Sequence, residues 1–325
     1  MSPTTTTLSA AGSDHALAVA ETCESILRIL LPYRRAEADD TYADGEVRTA
    51  FADQLCQLRE FVSAGEPIVF TLPAFPCKSP NNDKVFGHLP DLGELLSLRF
   101  LHGLTERVRE VYPPGARMLI CSDGHVFGDL IKVPDHHIDE YAETLRQMIT
   151  WGGFDSIDTF SLENVYGQAS FEEKRRILTE EFAEPEESLR EEVRAGGKAL
   201  RLYRGITRFL VEDAGDFEGT KSALQRECRQ RAYGVIQRSR AWGDLIAKYH
   251  AKQVRLSIHP QPVGGPKFGI MLLGSPDCWL TPWHSVAVQH RGERNYTLMK
   301  RIDAAKIGEP VWLNGRPSHY VAVSA

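Results

Sequence analysis

The chain has no apolar run approaching the ~20 residues needed to span a bilayer, so its hydropathy predicts no membrane-crossing helix. It has no Gly-x-Gly-x-x-Gly and no Gly-x-x-x-x-Gly-Lys-Ser/Thr, which removes motif support for dinucleotide or P-loop nucleotide binding. His-Glu-x-x-His is missing too, and the neighbours His136 and His137 would point about 100° apart on a helix, a poor ligand pair. The six cysteines, Cys23, Cys56, Cys77, Cys121, Cys228 and Cys278, include no Cys-x-x-Cys pair. Neither a zinc knuckle nor a disulfide framework is therefore predicted. Reduced thiols in a cytoplasmic protein are expected, with Cys77 set apart because a lysine neighbour would favour its thiolate. Positive charge is in deficit, 38 Lys and Arg against 44 Asp and Glu, which argues against a general nucleic-acid binder. Residues 1–13 lack the basic start and apolar core of a secretory signal and read as a disordered tail. Residues 14–325 read as a single domain without internal repeats.

What the chain does have is a β-loop-α order. Helical spacing over 14–34 and 46–64 precedes an apolar run, Pro67-Ile68-Val69-Phe70-Thr71-Leu72, that predicts a buried strand. Asp91 and Glu94 form a capping box opening a helix that Tyr112-Pro113-Pro114-Gly115 stops. A second strand at Arg117-Met118-Leu119-Ile120-Cys121 runs into a polar turn over 122–129. A helix from Pro134-Asp135 to about Trp151 and a third strand over 155–160 follow. This order predicts an α/β fold, a Rossmann-like, mostly parallel sheet covered by helices. Residues 168–252 read as an additional helical section, with a solvated acidic run over 181–192. Short strands over 254–258, 268–273, 278–288 and 310–313 close the chain.

The segment after the first strand, Phe75-Pro76-Cys77-Lys78-Ser79-Pro80-Asn81-Asn82-Asp83-Lys84-Val85-Phe86-Gly87-His88-Leu89-Pro90-Asp91, has three prolines, a glycine and paired asparagines. It must loop, and loops at strand carboxyl ends are where open α/β sheets place ligands. The cations Lys78, Lys84, Arg201, Arg204, Arg208, Arg255 and Lys267 point to anion chemistry. Arg201, Arg204 and Arg208 share one helical face that either grips a phosphate or pairs with the acidic run. His259 and His284 are each either structural or a general acid or base. Asp123, in a Ser-Asp-Gly corner, is either a base or a simple turn former.

Phe75-Pro76-x-Lys78-Ser79-Pro80-Asn81, Lys84-Val85-x-Gly87-x-Leu89-Pro90-Asp91 and Cys121-Ser122-Asp123-Gly124-x-Val126-Phe127-x-Asp129 together resemble the pyoverdine/dityrosine biosynthesis family. That family includes isocyanide (isonitrile) synthases of the paerucumarin type. Arg201-Leu202-Tyr203-Arg204-Gly205 and Trp283-His284 are similar to it as well, while His125 stands where the family more often has arginine. The resemblance implies conversion of the α-amino group of an aromatic amino acid, tyrosine or tryptophan, to an isonitrile. The carbon would come from the ketone position of ribulose 5-phosphate, with no metal or organic cofactor. A downstream iron- and 2-oxoglutarate-dependent oxygenase is implied as pathway partner. On this reading Lys78, Lys84, Asp123 and His284 are catalytic. Ser79, Asn81, Arg204, His259, Lys267 and Trp283 bind substrate. A related enzyme making an N-formyl or otherwise N-modified tyrosine, and a non-catalytic sugar-phosphate or amino-acid binding protein, are the alternatives.

Overall fold

In chain order α1 (Thr7–Leu30), α2 (Val47–Ala50) and α3 (Ala52–Ala64) precede β1 (Ile68–Leu72). Then come α4 (Leu92–Val111), β2 (Ala116–Cys121), α5 (Gly124–Ile131), α6 (Asp135–Gly152) and β3 (Ile157–Phe160). The helical section is α7 (Leu162–Tyr166), α8 (Phe171–Phe182), α9 (Glu186–Ala195), α10 (Gly197–Asp213) and α11 (Lys221–Tyr249). After it run β4 (Val254–Ser257), β5 (Phe268–Gly269), β6 (Val286–Gln289), β7 (Tyr296–Met299), α12 (Arg301–Ile307), β8 (Gly308–Leu313) and β9 (Arg316–Ala322). This computed structural model describes residues 7–37, 40–215, 217–275, 279–290 and 295–323. Helix α1 starts within the segment expected to be a tail, while residues 1–6 lie outside the described residues. No described helix is long and apolar enough to cross a membrane.

The main sheet has the order β3-β2-β1-β4-β5, and each of its pairings is parallel. Central β1 is buried at Ile68, Phe70, Thr71 and Leu72, the two-sided apolar pattern of a covered parallel strand. One face packs α1, α3 and α4 around Ile26, Leu58, Phe70, Leu101, Met118 and Leu256. The other carries a separate core with Cys121, Phe160, Leu178, Leu210, Cys228 and Trp242, supplied by the helical section. The strand order turns from one direction to the other between β1 and β4, so their carboxyl ends open a crevice suited to a ligand.

Two departures from the sequence reading matter. The polar turn over 122–129 is only a corner, because Gly124–Ile131 is helical; Val126 and Phe127 are buried and hold it against the second core. The strands of the chain's end also belong elsewhere than the main sheet. Only β4 and β5, the latter two residues long, join it, whereas β6 to β9 form a second sheet of order β7-β6-β9-β8. The sequence reading missed β7 and β9. Cys278 lies outside the described residues.

Gly124 makes the junction between the first two strand ends. A Cβ there would meet the Pro76 carbonyl oxygen at 2.1 Å and Ile138 Cγ2 at 2.7 Å. By contrast, Gly103, inside α4, has open space around it. Gly124→Ala should cost about 3 kcal/mol in denaturant unfolding through overpacking. Gly103→Ala should be neutral or stabilising by up to about 1 kcal/mol; equal effects would show that the junction is slack.

Candidate active site

Loop 73–91, the Asp123 corner and segment 281–285 come together beyond the carboxyl ends of the strands, and the last residue of α10 closes on them. Phe75 starts the loop at φ 54°, an uncommon value for a bulky residue, and is completely buried against Trp283 with ring centroids 5.2 Å apart. Its carbonyl accepts a 3.0 Å bond from Ser122 Oγ. Ser79 N donates to the Trp283 carbonyl at 2.9 Å. Backbone strain of this kind persists only where the surroundings hold it, as at binding sites.

Lys78 is enclosed rather than presented. Its ammonium contacts Asp91 Oδ2 at 2.8 Å, Glu94 Oε2 at 2.9 Å and the Pro282 carbonyl at 2.9 Å, with no side-chain exposure. Three acceptors occupy its three N–H bonds. Burial opposes its charge, but the two carboxylates prevail and raise its pKa. Burial in turn pushes Glu94 up to about 7 against the pull of Lys78. The catalytic place expected for Lys78 is therefore corrected: it ties the loop to the N-terminus of α4, where the capping box had already placed both carboxylates.

Asp213 organises the other half of the loop, and the sequence reading did not select it. Its Oδ1 accepts from Ser79 Oγ at 2.6 Å and Lys84 Nζ at 2.7 Å, while Oδ2 lies 3.9 Å from His284 Nε2. The signal was present: Ile206, Phe209 or Leu210, and then Asp213 follow the apolar stripe of α10, and a carboxylate on that stripe needs a buried partner. Lys84 also lies over the Phe209 ring, 5.7 Å from its centroid. Asn81 ties the loop to α10 and to itself, Nδ2 donating to the Glu212 carbonyl at 2.9 Å and Oδ1 accepting from Asp83 N at 2.9 Å. Ser79 Oγ is likewise engaged, donating to Asp213 and accepting from Asn81 N.

Asp123 differs from every other carboxylate here. Its side chain makes no cap bond and none to a cation among the described residues. Burial pushes its carboxyl up to about 7, slightly offset by its own backbone N–H. His284 moves the opposite way, to about 4, chiefly by burial and then by Lys84, Lys78 and His259, with Asp213 opposing. Its Nδ1 lies 3.1 Å from Thr281 Oγ1. At neutral pH the site thus has a half-ionised carboxyl and an uncharged imidazole. Groups displaced in opposite directions can divide the roles of acid and base between them.

Other expectations need correction. Cys77 is no thiolate: burial, then Asp123 and Asp213, push its thiol far up. Trp283 is 2% exposed and belongs to the main core, so it shapes the site without lining it. Arg204 is exposed, nine residues before Asp213 and hence half a turn round α10 from it. The acidic run pairs instead with Arg240, through Glu184 and Glu192. His125 is held by Asp135 and Asp139 and stacks on Phe171 at 3.5 Å. The chain does contain one His-x-Asp triplet, His137-Ile138-Asp139, but Asp139 turns to His125 while His137 stacks on His88 at 4.1 Å. His259 follows β4 with its residue surface still open to solvent, and its pKa is lowered by partial desolvation of the ring, then by Arg35 and Lys267. A cavity of about 320 Å³ opens beside Asp213, bounded by Pro80, Lys132, Phe217 and Arg231. A larger one of about 400 Å³, lined by Leu96, Phe100 and Tyr296, lies away from these groups.

A model of the family described as pyoverdine/dityrosine biosynthesis protein matches residues 58–309. The chain is 47% identical over 305 residues to an L-tyrosine isonitrile synthase of Pseudomonas aeruginosa, covering 91% of this chain and 92% of the relative. It is 42% identical to an L-tyrosine isonitrile synthase of Xenorhabdus nematophila, covering 93% and 92%. An L-tryptophan isonitrile synthase of Fischerella ambigua is 40% identical, with 92% and 94% covered. The crystal structure of the PvcA protein from Pseudomonas aeruginosa superposes with a TM-score of 0.88 at 46% identity, over 93% of this chain and 99% of that one.

Lys78→Met should destabilise the fold by about 3–5 kcal/mol, since it strands two buried carboxylates. Urea unfolding would measure this, and a loss under 1 kcal/mol would put Lys78 outside the framework. Asp123→Asn should act with a defined sign. A carboxyl lifted from 3.8 to about 7 contributes fully to stability below 3.8, and that contribution is lost as pH rises through 7. The melting-temperature difference, variant minus parent, should therefore grow from pH 4 to pH 8; a flat difference would contradict the buried, uncompensated carboxyl.

Proposed function

The chain belongs to the pyoverdine/dityrosine biosynthesis protein family, and from that premise we propose that it is an isonitrile synthase acting on an aromatic L-amino acid, with tyrosine favoured. The tyrosine preference is supported by the 47% and 42% identities to L-tyrosine isonitrile synthases, against 40% to an L-tryptophan isonitrile synthase. The carbon donor in this reading is ribulose 5-phosphate, through its ketone carbon. An iron- and 2-oxoglutarate-dependent oxygenase would take up the product, and the cytoplasm is the proposed location.

The observation that carries the proposal is the Asp123 carboxyl, held near 7 without a cation beside a loop whose remaining cation is Lys84. Condensation requires a neutral amine and a polarised ketone, hence one base and one donor. Asp123 takes the proton from the α-ammonium group. Lys84 keeps one N–H on Asp213 and has two left to donate to the ketone oxygen. Attack of nitrogen on the ketone carbon and loss of water give the imine. Expulsion of phosphate and cleavage of the two carbon–carbon bonds flanking that carbon then leave it on nitrogen, the one-carbon side departing as formaldehyde and the other as a three-carbon hydroxycarbonyl compound, so that no oxidant is needed. His284, neutral at pH 7, receives and passes protons between substrate and Asp213, the nearest carboxylate. Lys78, Ser79, Asn81 and Trp283 hold these groups in place.

Incubation with tyrosine or tryptophan and ribulose 5-phosphate labelled at the ketone carbon tests the reading. The expected product is labelled tyrosine isonitrile, identified by mass spectrometry. An unlabelled isonitrile would discard the donor, and a formamide would replace the reaction. Lys84→Met should lower kcat by roughly 10²–10³-fold, the loss typical of one donor to a developing oxyanion. In the parent, kcat/KM should rise with an apparent pKa near 7 as Asp123 ionises; a limb below pH 5 would move the base elsewhere.

A further inference from the structure

The lysines of the loop leave a sugar phosphate's most highly charged group unmatched. Lys78 is fully neutralised by two carboxylates, and Lys84 shares Asp213 with Ser79. The dianionic end of the substrate needs cations that the fold has not already neutralised.

Such cations stand side by side in the sheet. In the β4–β5 ladder Leu256 lies opposite Phe268 and Ser257 opposite Gly269, so Arg255 and Lys267 are neighbours one step earlier on a common face. Leu256 and Phe268 point into the core formed with α1, α3 and α4. Arg255 and Lys267 therefore project from the opposite face, the side of α11, where Asp244 acts on Lys267. Both residues are half-buried. Among the described residues neither side chain has a hydrogen bond or an ion pair; Gln57 Oε1 reaches only the backbone N–H of Arg255. Two like charges in partial burial repel each other and cost folding energy. In support, burial and the charge of Arg255 lower the pKa of Lys267. Lys267 acts in turn on His259, and His259 on His284. The pair thus lies beside the loop after β4, where the His259 carbonyl closely approaches Gly269, at the switch between β1 and β4 where open sheets bind ligands.

We propose that Arg255 and Lys267 form the phosphate subsite, with the Arg255 guanidinium taking two phosphate oxygens as a fork, Lys267 supplying a point charge, and His259 donating from the mouth of the cleft. This inference rests on the isonitrile synthase reading for the identity of the phosphate ester, but the anion site itself is independent of it. The residue that sequence analysis grouped with the other cations, Arg255, becomes the principal ligand, and the Arg204 stripe loses that part.

The test uses Arg255→Gln and Lys267→Gln in the full chain. Ligand-free melting temperatures should equal or exceed the parent's, because each change removes one of two mutually repelling charges. The KM for ribulose 5-phosphate should rise at least tenfold in each variant, while the KM for tyrosine stays within twofold. Inorganic phosphate should raise the parent's melting temperature and neither variant's. An unchanged sugar-phosphate KM, or a rise confined to the tyrosine KM, would overturn the subsite, as would a lowered ligand-free melting temperature. Failure of the parent to use ribulose 5-phosphate, with phosphate still stabilising it through Arg255 and Lys267, would remove the donor and keep the anion site.

Discussion

The structure turns on one buried arrangement of charge: a loop of low secondary-structure content held by two lysines that reach separate carboxylates. Lys78 binds the loop to Asp91 and Glu94 at the start of α4, and Lys84 binds it to Asp213 at the end of α10. Proline and positive φ deprive the loop of a hydrogen-bond ladder, so ion pairs and single backbone bonds such as Ser79 to Trp283 must substitute for it. Buried pairs of this kind add little net stability relative to apolar packing, yet breaking one is costly. They therefore fix conformation strongly. The loop's shape is specified even though its sequence forms no regular element.

That arrangement also sets the electrostatics of the reaction. The two loop lysines are matched by Asp91, Glu94 and Asp213, which leaves Asp123 without a cation and free to respond to burial alone. Its carboxyl is held near neutrality for that reason, and His284 stays uncharged beside the same buried charges. Had either lysine been directed at Asp123, the carboxyl would have been held low and would have been a poor base for an ammonium group. On the proposed reaction, neutralising the lysines elsewhere is what would leave the aspartate available as base, and a phosphate ester would have to draw on other cations.

The sequence made local features legible and long-range ones not. The Asp91 and Glu94 capping box, β1, β2 and β3, and the parallel order were readable because caps and apolar periods act within a few residues. The contact between the loop and the Asp123 corner followed from topology, since both end strands of one parallel sheet. Lys78 was misjudged because a lysine in a polar loop looks exposed, and nothing in its neighbourhood reveals that Asp91 and Glu94 fold back over it. Asp213 escaped because its partners, Ser79 and Lys84, are far away in the chain. The second sheet escaped for a similar reason: β7 and β9 are short, and β9 pairs in parallel with β6 across two intervening strands and a helix.

The helical section is more than a cover for the sheet. It brings Asp213 and Phe209 to the loop, places Asp244 opposite Lys267, and buries Trp242 against Phe160 beside the strand that ends at Asp123. A sheet and its loop alone would leave Lys84 without Asp213 and the loop without its tie to α10. The site is therefore a joint product of two cores, and the residues that set its charge state come from segments distant in the chain. Changes in α10 should consequently be felt first at the loop, because the Asp213 carboxylate accepts from both Ser79 and Lys84.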